Sequence, residues 1–319
     1  MDKVRVGVIG VGHLGQHHAR IYSELDDVEL IGVVDIIPKV AKKIAKANKT
    51  KAYTNYKDLL GKIDAVSISV PTKHHYEVAK FFLQNKVHTL VEKPITSTVE
   101  QAQELVNIAR SKNTILQVGH IERFNAAVMK MKTLITEPRF IESHRLGSYD
   151  PRVKDIGVVL DNMIHDLDII LQLVNSKIKS VEAIGVAVFS VWEDLANARI
   201  KFENGCIANI TASRIYPEKM RKIRIFQPDA YISLNYINQE MEVYRKRPLK
   251  KRRKDGISIA IERRKIRVQK EEPLKLELAH FVDCVKKGIE PMVTGEHARD
   301  ALELALEITD LVRKGQYVV

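Results

Sequence analysis

The sequence predicts an α/β protein, with an N-terminal Rossmann fold on a parallel sheet and a C-terminal α+β domain on a large, open, mostly antiparallel sheet. Three observations predict it. β-branched runs alternate with helical patterns up to about residue 120, a Gly-x-Gly-x-x-Gly turn directly follows the first run, and beyond residue 180 the pattern changes to apolar–polar alternation. A chain of 319 residues is longer than one core usually organises, which predicts two domains. They are expected over 1–121 and 122–319, with the C-terminal helix able to pack back on the first.

The first strands are read at 4–9, 30–34, 65–70, 88–91 and 115–118, each a nearly continuous apolar run of the kind found in sheets buried on both faces. Between them the helical period places helices at 15–24, 40–47, 75–84 and 99–111. The last opens on Ser97-Thr98-Val99-Glu100, read as a capping box with Ser97 and Glu100 as its side chains. After Gly119 come a helix from Asn125 to about Leu134, a strand at 141–146 and a longer helix at 158–173. Strands with one wet face are expected at 198–202, 207–213, 222–226 and 230–234. Helices at 274–287 and 297–314 close the chain, with Gly315 at C′.

Apolar residues make up 45% and charged residues 29% of the chain, too apolar for a disordered protein. No apolar stretch approaches the roughly 20 residues needed to span a bilayer, and the start of the chain has no signal-peptide pattern. A soluble cytoplasmic protein without a membrane partner is expected. Cys206 and Cys284 are far apart and lack CxxC spacing, so they read as small buried residues and no metal site is expected. The net charge of +12 favours anionic ligands. Much of it lies between Arg245 and Arg267, which reads either as a solvated loop or edge hairpin or as a surface attracting anions. The stretch has no interleaved aromatics or recognition motif, so nucleic acid is not expected as a partner.

Gly10-Val11-Gly12-His13-Leu14-Gly15 leaves the first strand and opens the first helix, and Asp35 ends the second strand twenty residues later. A dinucleotide site needs this arrangement. Gly10 allows a tight turn, Gly12 lets the pyrophosphate approach the backbone, Gly15 lets helix pack on strand, and Asp35 accepts from the ribose hydroxyls. Asp35 would repel a 2′-phosphate and no basic residue follows it at once, so the expected cofactor is NAD, although glycines of this spacing can also hold FAD.

Glu92-Lys93-Pro94 ends another strand, where a lysine can reach a substrate hydroxyl or simply sit on the surface before a turn. Asp161 and His165 are spaced i, i+4 and share a helix face, where the carboxylate could orient an imidazole suited to taking a hydroxyl proton. Taken separately, this pair also fits a helix with exposed acids and one satisfied histidine.

Together the motifs resemble the Gfo/Idh/MocA oxidoreductases over nearly the full length. The resemblance rests on Gly10-x-Gly12-x-x-Gly15 with His18, Val70-Pro71-Thr72-Lys73-His74-His75, Glu92-Lys93-Pro94 and Asp161-x-x-x-His165. It implies that Lys93 contacts substrate and cofactor, that a cis peptide precedes Pro94, and that His165 is the general base or acid with Asp161 beside it. It also implies that His13, Leu14, Pro71, Thr72, His75 and Glu92 lie along the cofactor. Thr72 stands where an Asn is common in the family. His18 and His75 read as structural or supporting residues.

Gly119-His120-Ile121-Glu122-Arg123-Phe124-Asn125 and the helix around Asn162 and His165 resemble the subgroup that oxidises UDP-N-acetylglucosamine at the sugar 3-hydroxyl. In that subgroup a PLP-dependent aminotransferase takes the ketone on to an amino sugar nucleotide, a lipid A precursor. The resemblance further implies a homo-oligomer, a dimer or tetramer. Arg123, Arg145 and Arg152 are candidate contacts to a diphosphate, and Asn162 to substrate. A dehydrogenase of a free sugar or polyol such as inositol stays open, as does a non-catalytic NAD-binding regulator.

Overall fold

The computed structural model describes residues 3–149, 156–248 and 259–315. Its contacts divide the chain into two units, Met1–Phe124 with Glu272–Glu303, and Asn125–Glu271 with Leu304–Val319. The boundary falls three residues beyond the expected one, and Glu272–Glu303 counts with the first unit instead of the second.

Among its described residues the first unit holds β1 (Val4–Ile9), α1 (Gly15–Glu24), β2 (Val28–Val34), α2 (Pro38–Ala47), β3 (Lys51–Tyr53), β4 (Ala65–Ile68), α3 (His75–Gln84), β5 (His88–Glu92), α4 (Val99–Lys112) and β6 (Leu116–Gly119). All strand neighbours are parallel, in the order β3-β2-β1-β4-β5-β6. The order reverses between β1 and β4, and in doubly wound sheets ligands bind outside the carboxyl ends of the strands at such a point. Strand β3 has only three residues, too few to show a period in the sequence. Burial explains why the other runs are apolar throughout, since β4 is buried at each of its four residues.

The cap of α4 differs by one residue from the expected box. Thr98, not Ser97, is the N-cap, and its hydroxyl accepts from the Gln101 amide at 3.3 Å. Helix α7 (Pro273–Lys287) contributes Leu274, Leu278, Phe281 and Val282 to the core that includes Val6, Val8, Ile21 and Tyr22. That burial makes α7 part of the first unit. The thiols of Cys206 and Cys284 are both buried, which pushes each up to about 11.

The second unit holds α5 (Ala126–Lys132), β7 (Phe140–Leu146), a π turn (Val159–Met163), α6 (Ile164–Val174), β8 (Ile178–Val186), β9 (Leu195–Phe202), β10 (Ile207–Ser213), β11 (Met220–Gln227), β12 (Ala230–Asn235), β13 (Glu240–Pro248) and β14 (Ile259–Ile266). Its described strands form one eight-stranded sheet in the order β14-β13-β12-β11-β7-β10-β9-β8. Every neighbouring pair is antiparallel except β7 and β10. Buried and half-buried residues alternate along β9 and β12, as an open sheet with one covered face requires.

The basic stretch contributes the edge hairpin β13–β14. Arg263, Arg264 and Lys265 pair there with Glu242, Glu262 and Glu240 at 2.5, 2.7 and 3.1 Å. Its most basic part, 250–254, lies outside the described residues. In the last helix, α8 (Gly295–Gly315), Gly315 is itself helical and not at the C′ position expected.

The helix expected over 158–173 is two structures in succession. It opens as a π turn in which the Ile164 amide reaches back five residues to the Val159 carbonyl, and continues as α6. Paired β-branched residues at its start, Val158 and Val159, weaken α-helical preference there.

Candidate active site

Four loops leave the carboxyl ends of the adjacent strands β2, β1, β4 and β5, and they carry the expected cofactor residues. The loop after β1 turns at Gly10, whose φ of 78° is left-handed and favours glycine. A Cβ on Gly15 would lie 1.8 Å from the Gly10 carbonyl oxygen, so the close approach of helix to strand needs glycine there too. A Cβ on Gly12 would meet no protein atom within 4 Å, which leaves that face open to a ligand.

Helix α1 begins without a side-chain cap and without an acid in its first turn, so its amides can receive an anion. His13 and Leu14 are exposed on this loop. Asp35, half-buried after β2, accepts from the Val11 and Ile37 amides at 3.2 and 2.9 Å, which fixes its carboxylate beside the glycine loop. These residues fit a dinucleotide pyrophosphate and an unphosphorylated adenosine ribose. Wild-type protein should therefore bind NAD at least about tenfold tighter than NADP, a difference of about 1.4 kcal/mol, and Asp35→Ala should narrow the ratio. Fluorescence titration with both cofactors measures it, and tighter NADP binding by the wild type would overturn the assignment.

Pro71 is exposed and Thr72 half-buried in the 3-10 turn after β4. His75, read both as lying along the cofactor and as a structural residue, faces inward. It is 1% exposed, with Nδ1 2.8 Å from the Pro94 carbonyl and Nε2 2.8 Å from the Val70 carbonyl. Carbonyls only accept, so the neutral ring donates to one of them. Burial, only partly offset by these carbonyls, depresses its pKa. His75 thus braces the β4 loop against the Lys93-Pro94 segment, whose peptide bond is cis as the resemblance implies.

Glu92 is likewise directed inward. Its Oε1 lies 3.1 Å from His18 Nε2, and its Oε2 accepts from the Lys93 amide at 3.2 Å. His18, fully buried, places Nδ1 2.7 Å from Ser67 Oγ. Because a carboxylate only accepts, Nε2–H donates to Glu92. Burial by itself would push the Glu92 carboxyl up, but the His18 bond and the nearby charges of His18 and Lys93 outweigh it and hold the carboxyl below its usual range. The chain Ser67–His18–Glu92 ties the fingerprint helix to the backbone of half-buried Lys93.

In the second unit Asp161 and Asn162 lie on the π turn, and His165 follows on the first turn of α6, all three half-buried. Asn162 donates to Asp161 Oδ2 at 3.2 Å. Arg145, a candidate contact to a diphosphate, is engaged inside the second unit. Its Nε donates to Asp166 Oδ2 at 2.6 Å, its guanidinium lies 5.1 Å from the Tyr236 ring centre, and both members of the ion pair are buried. Arg123, in the 3-10 turn at Ile121–Phe124, is 3% exposed, and Arg152 lies outside the described residues.

The description "Oxidoreductase family, NAD-binding Rossmann fold" matches residues 4–120, and the GFO/IDH/MocA C-terminal domain matches 128–233. Over 76% of this chain and 78% of the relative, the sequence is 39% identical to a UDP-N-acetylglucosamine 3-dehydrogenase of Acidithiobacillus ferrooxidans. A solved structure described by that activity, from the same organism, superposes with a TM-score of 0.91 at 34% identity, over 98% of this chain and 99% of the other. A scyllo-inositol 2-dehydrogenase (NAD(+)) of Bacillus subtilis is 27% identical over 99% of this chain and 96% of its own. The chain belongs to the Gfo/Idh/MocA family of NAD-binding oxidoreductases.

Proposed function

We propose that the protein oxidises the 3-hydroxyl of UDP-N-acetylglucosamine to a ketone, with NAD as the hydride acceptor. The observation that carries this reading is the presence of Lys93, Asp161 and His165 in a chain 39% identical to a dehydrogenase of that substrate. When bound, NAD supplies a nicotinamide that takes the hydride from the carbon bearing the hydroxyl. His165 removes the hydroxyl proton as the carbon–oxygen double bond forms, so one proton and one hydride leave the substrate together. Asp161 orients the imidazole and steadies the charge it acquires. Lys93 donates to the substrate oxygen, and its backbone is held by Glu92.

The nucleotide gives the enzyme remote binding energy for orienting the sugar. Free N-acetylglucosamine should accordingly fall below UDP-N-acetylglucosamine in kcat/KM by about 10²-fold or more. NAD reduction with both, and with inositol, measures this, and product NMR locates the ketone. Activity on inositol with none on the nucleotide sugar would support the polyol reading instead, and NAD binding without reduction of any of them would support a regulator. A 3-keto product calls for an amino-transferring partner such as a PLP enzyme, on the way to a lipid A precursor. The reading includes a cytoplasmic homo-oligomer, since NAD and nucleotide sugars are cytoplasmic metabolites and the exposed Phe226 beside Tyr231 on the sheet suits a second copy.

A further inference from the structure

The chain entering the π turn is held at each residue from Ile156 to Val159. The Ile156 carbonyl accepts from Arg214 Nη1 at 2.8 Å, and the Val158 amide donates to the Glu193 carbonyl at 2.9 Å. The Val159 amide donates to Glu193 Oε1 at 3.2 Å. Between them, a Cβ on Gly157 would stand 1.8 Å from Glu193 Oε1, so the Glu193 carboxylate occupies the space that any other residue would fill. Glu193 is 2% exposed and comes from the distant segment between β8 and β9.

That segment is itself fastened. Asp194, fully buried, accepts from the Val188, Phe189 and Ser190 amides at 2.8, 2.6 and 3.1 Å and from Arg214 Nε at 2.8 Å. Burial by itself would raise the Asp194 carboxyl, yet these donors hold it well below the usual range. Arg214 therefore joins the Asp194 turn to Ile156 through one guanidinium.

A π turn rotates the residues before it relative to those after it, by comparison with an unbroken α-helix. Where that turn starts sets how Asp161 faces His165, because Asp161 lies inside it and His165 lies just beyond. Glu193 satisfies the Val158 and Val159 amides from outside the helix and so determines the starting point. The Asp161 amide bonds the Gly157 carbonyl at 3.1 Å, which extends the same constraint to the acid itself.

We infer that Glu193 is a positioning residue for the proposed Asp161–His165 proton-transfer pair, acting through the start of the π turn, with Gly157 as the gap that admits its carboxylate and Arg214–Asp194 as its anchor. The inference rests on the proposed oxidation. A displacement of about 1 Å in such a pair can cost about 10²-fold in rate. Glu193→Ala should therefore lower kcat for NAD reduction by UDP-N-acetylglucosamine about tenfold or more, while the Kd for NAD, read by fluorescence, stays within twofold. Glu193→Gln keeps an acceptor oxygen and should recover most of the rate.

Gly157→Ala forces the carboxylate aside and should match the loss of Glu193→Ala. In the double variant the new methyl enters vacated space, so the two losses should not add. A deuterium isotope effect at the oxidised carbon should grow in both single variants as the chemical step becomes limiting. A purely stabilising role would lower the melting temperature without moving the isotope effect or the cycle.

Unchanged kcat in Gly157→Ala, or additive losses in the cycle, would overturn the inference even if Glu193→Ala fails to fold. His165→Ala serves as the control. If it turns over normally, the proposed oxidation chemistry itself is at fault; if it is inactive while the Glu193 and Gly157 variants are normal, only the positioning role is.

Discussion

His165→Ala is expected to lower kcat for NAD reduction by about 10²-fold or more, while the Kd for NAD stays near that of the wild type. The two halves of this result have separate causes. The glycine loop and Asp35 belong to the first unit and His165 to the second, so the substitution removes the proposed proton acceptor and leaves the proposed cofactor residues in place. The carbon can surrender hydride only as the proton of its hydroxyl leaves, and without a base that proton must go to water. The pH profile sharpens the test. A histidine base works in its neutral form, so any loss of kcat toward acid that comes from protonating this base should vanish in the variant. Near-wild-type turnover by His165→Ala would move the base role to another residue.

Much of the fold was legible because its signals are local. Val4–Ile9, Gly15–Glu24 and His75–Gln84 were placed to the residue, since buried parallel strands and amphipathic helices print their periods on the sequence. The glycine turn and Asp35 were legible for a related reason, because a dinucleotide site on a Rossmann sheet is assembled from residues at fixed distances along one βαβ unit. What escaped depends on tertiary contact. No local pattern announces that Glu193 completes the start of a helix more than thirty residues earlier, or that Glu92 turns inward to His18 across 74 residues. The π turn escaped too, since its hydrophobic pattern continues into α6 and reads as one helix. Gly157 stands at that helix start, but a lone glycine does not say which distant residue it admits.

Arg145 has two roles open to it, a buried structural ion pair and a contact to the nucleotide, and Arg145→Ala separates them. A positively charged chain with an anionic candidate substrate makes Arg123, Arg145 and Arg152 candidate phosphate ligands. Arg145 and Asp166 instead face each other at 2.6 Å, 2% and 0% exposed, with Ser143 Oγ donating to the second carboxylate oxygen at 2.7 Å. Removing one partner of a buried pair leaves the other charge without compensation and costs about 3–5 kcal/mol. For a unit of this size that corresponds to a fall of roughly 10 °C in Tm. The KM for UDP-N-acetylglucosamine, measured on enzyme that remains folded, should change little. A second substitution supplies the sign of the argument: adding Asp166→Leu to Arg145→Met removes both charges, and the double variant should melt higher than Arg145→Met by itself, since no isolated charge is left inside. Calorimetry and steady-state kinetics on the same preparations decide it. An unchanged Tm with a KM raised tenfold or more would restore Arg145 to the nucleotide and make its bond to Asp166 incidental.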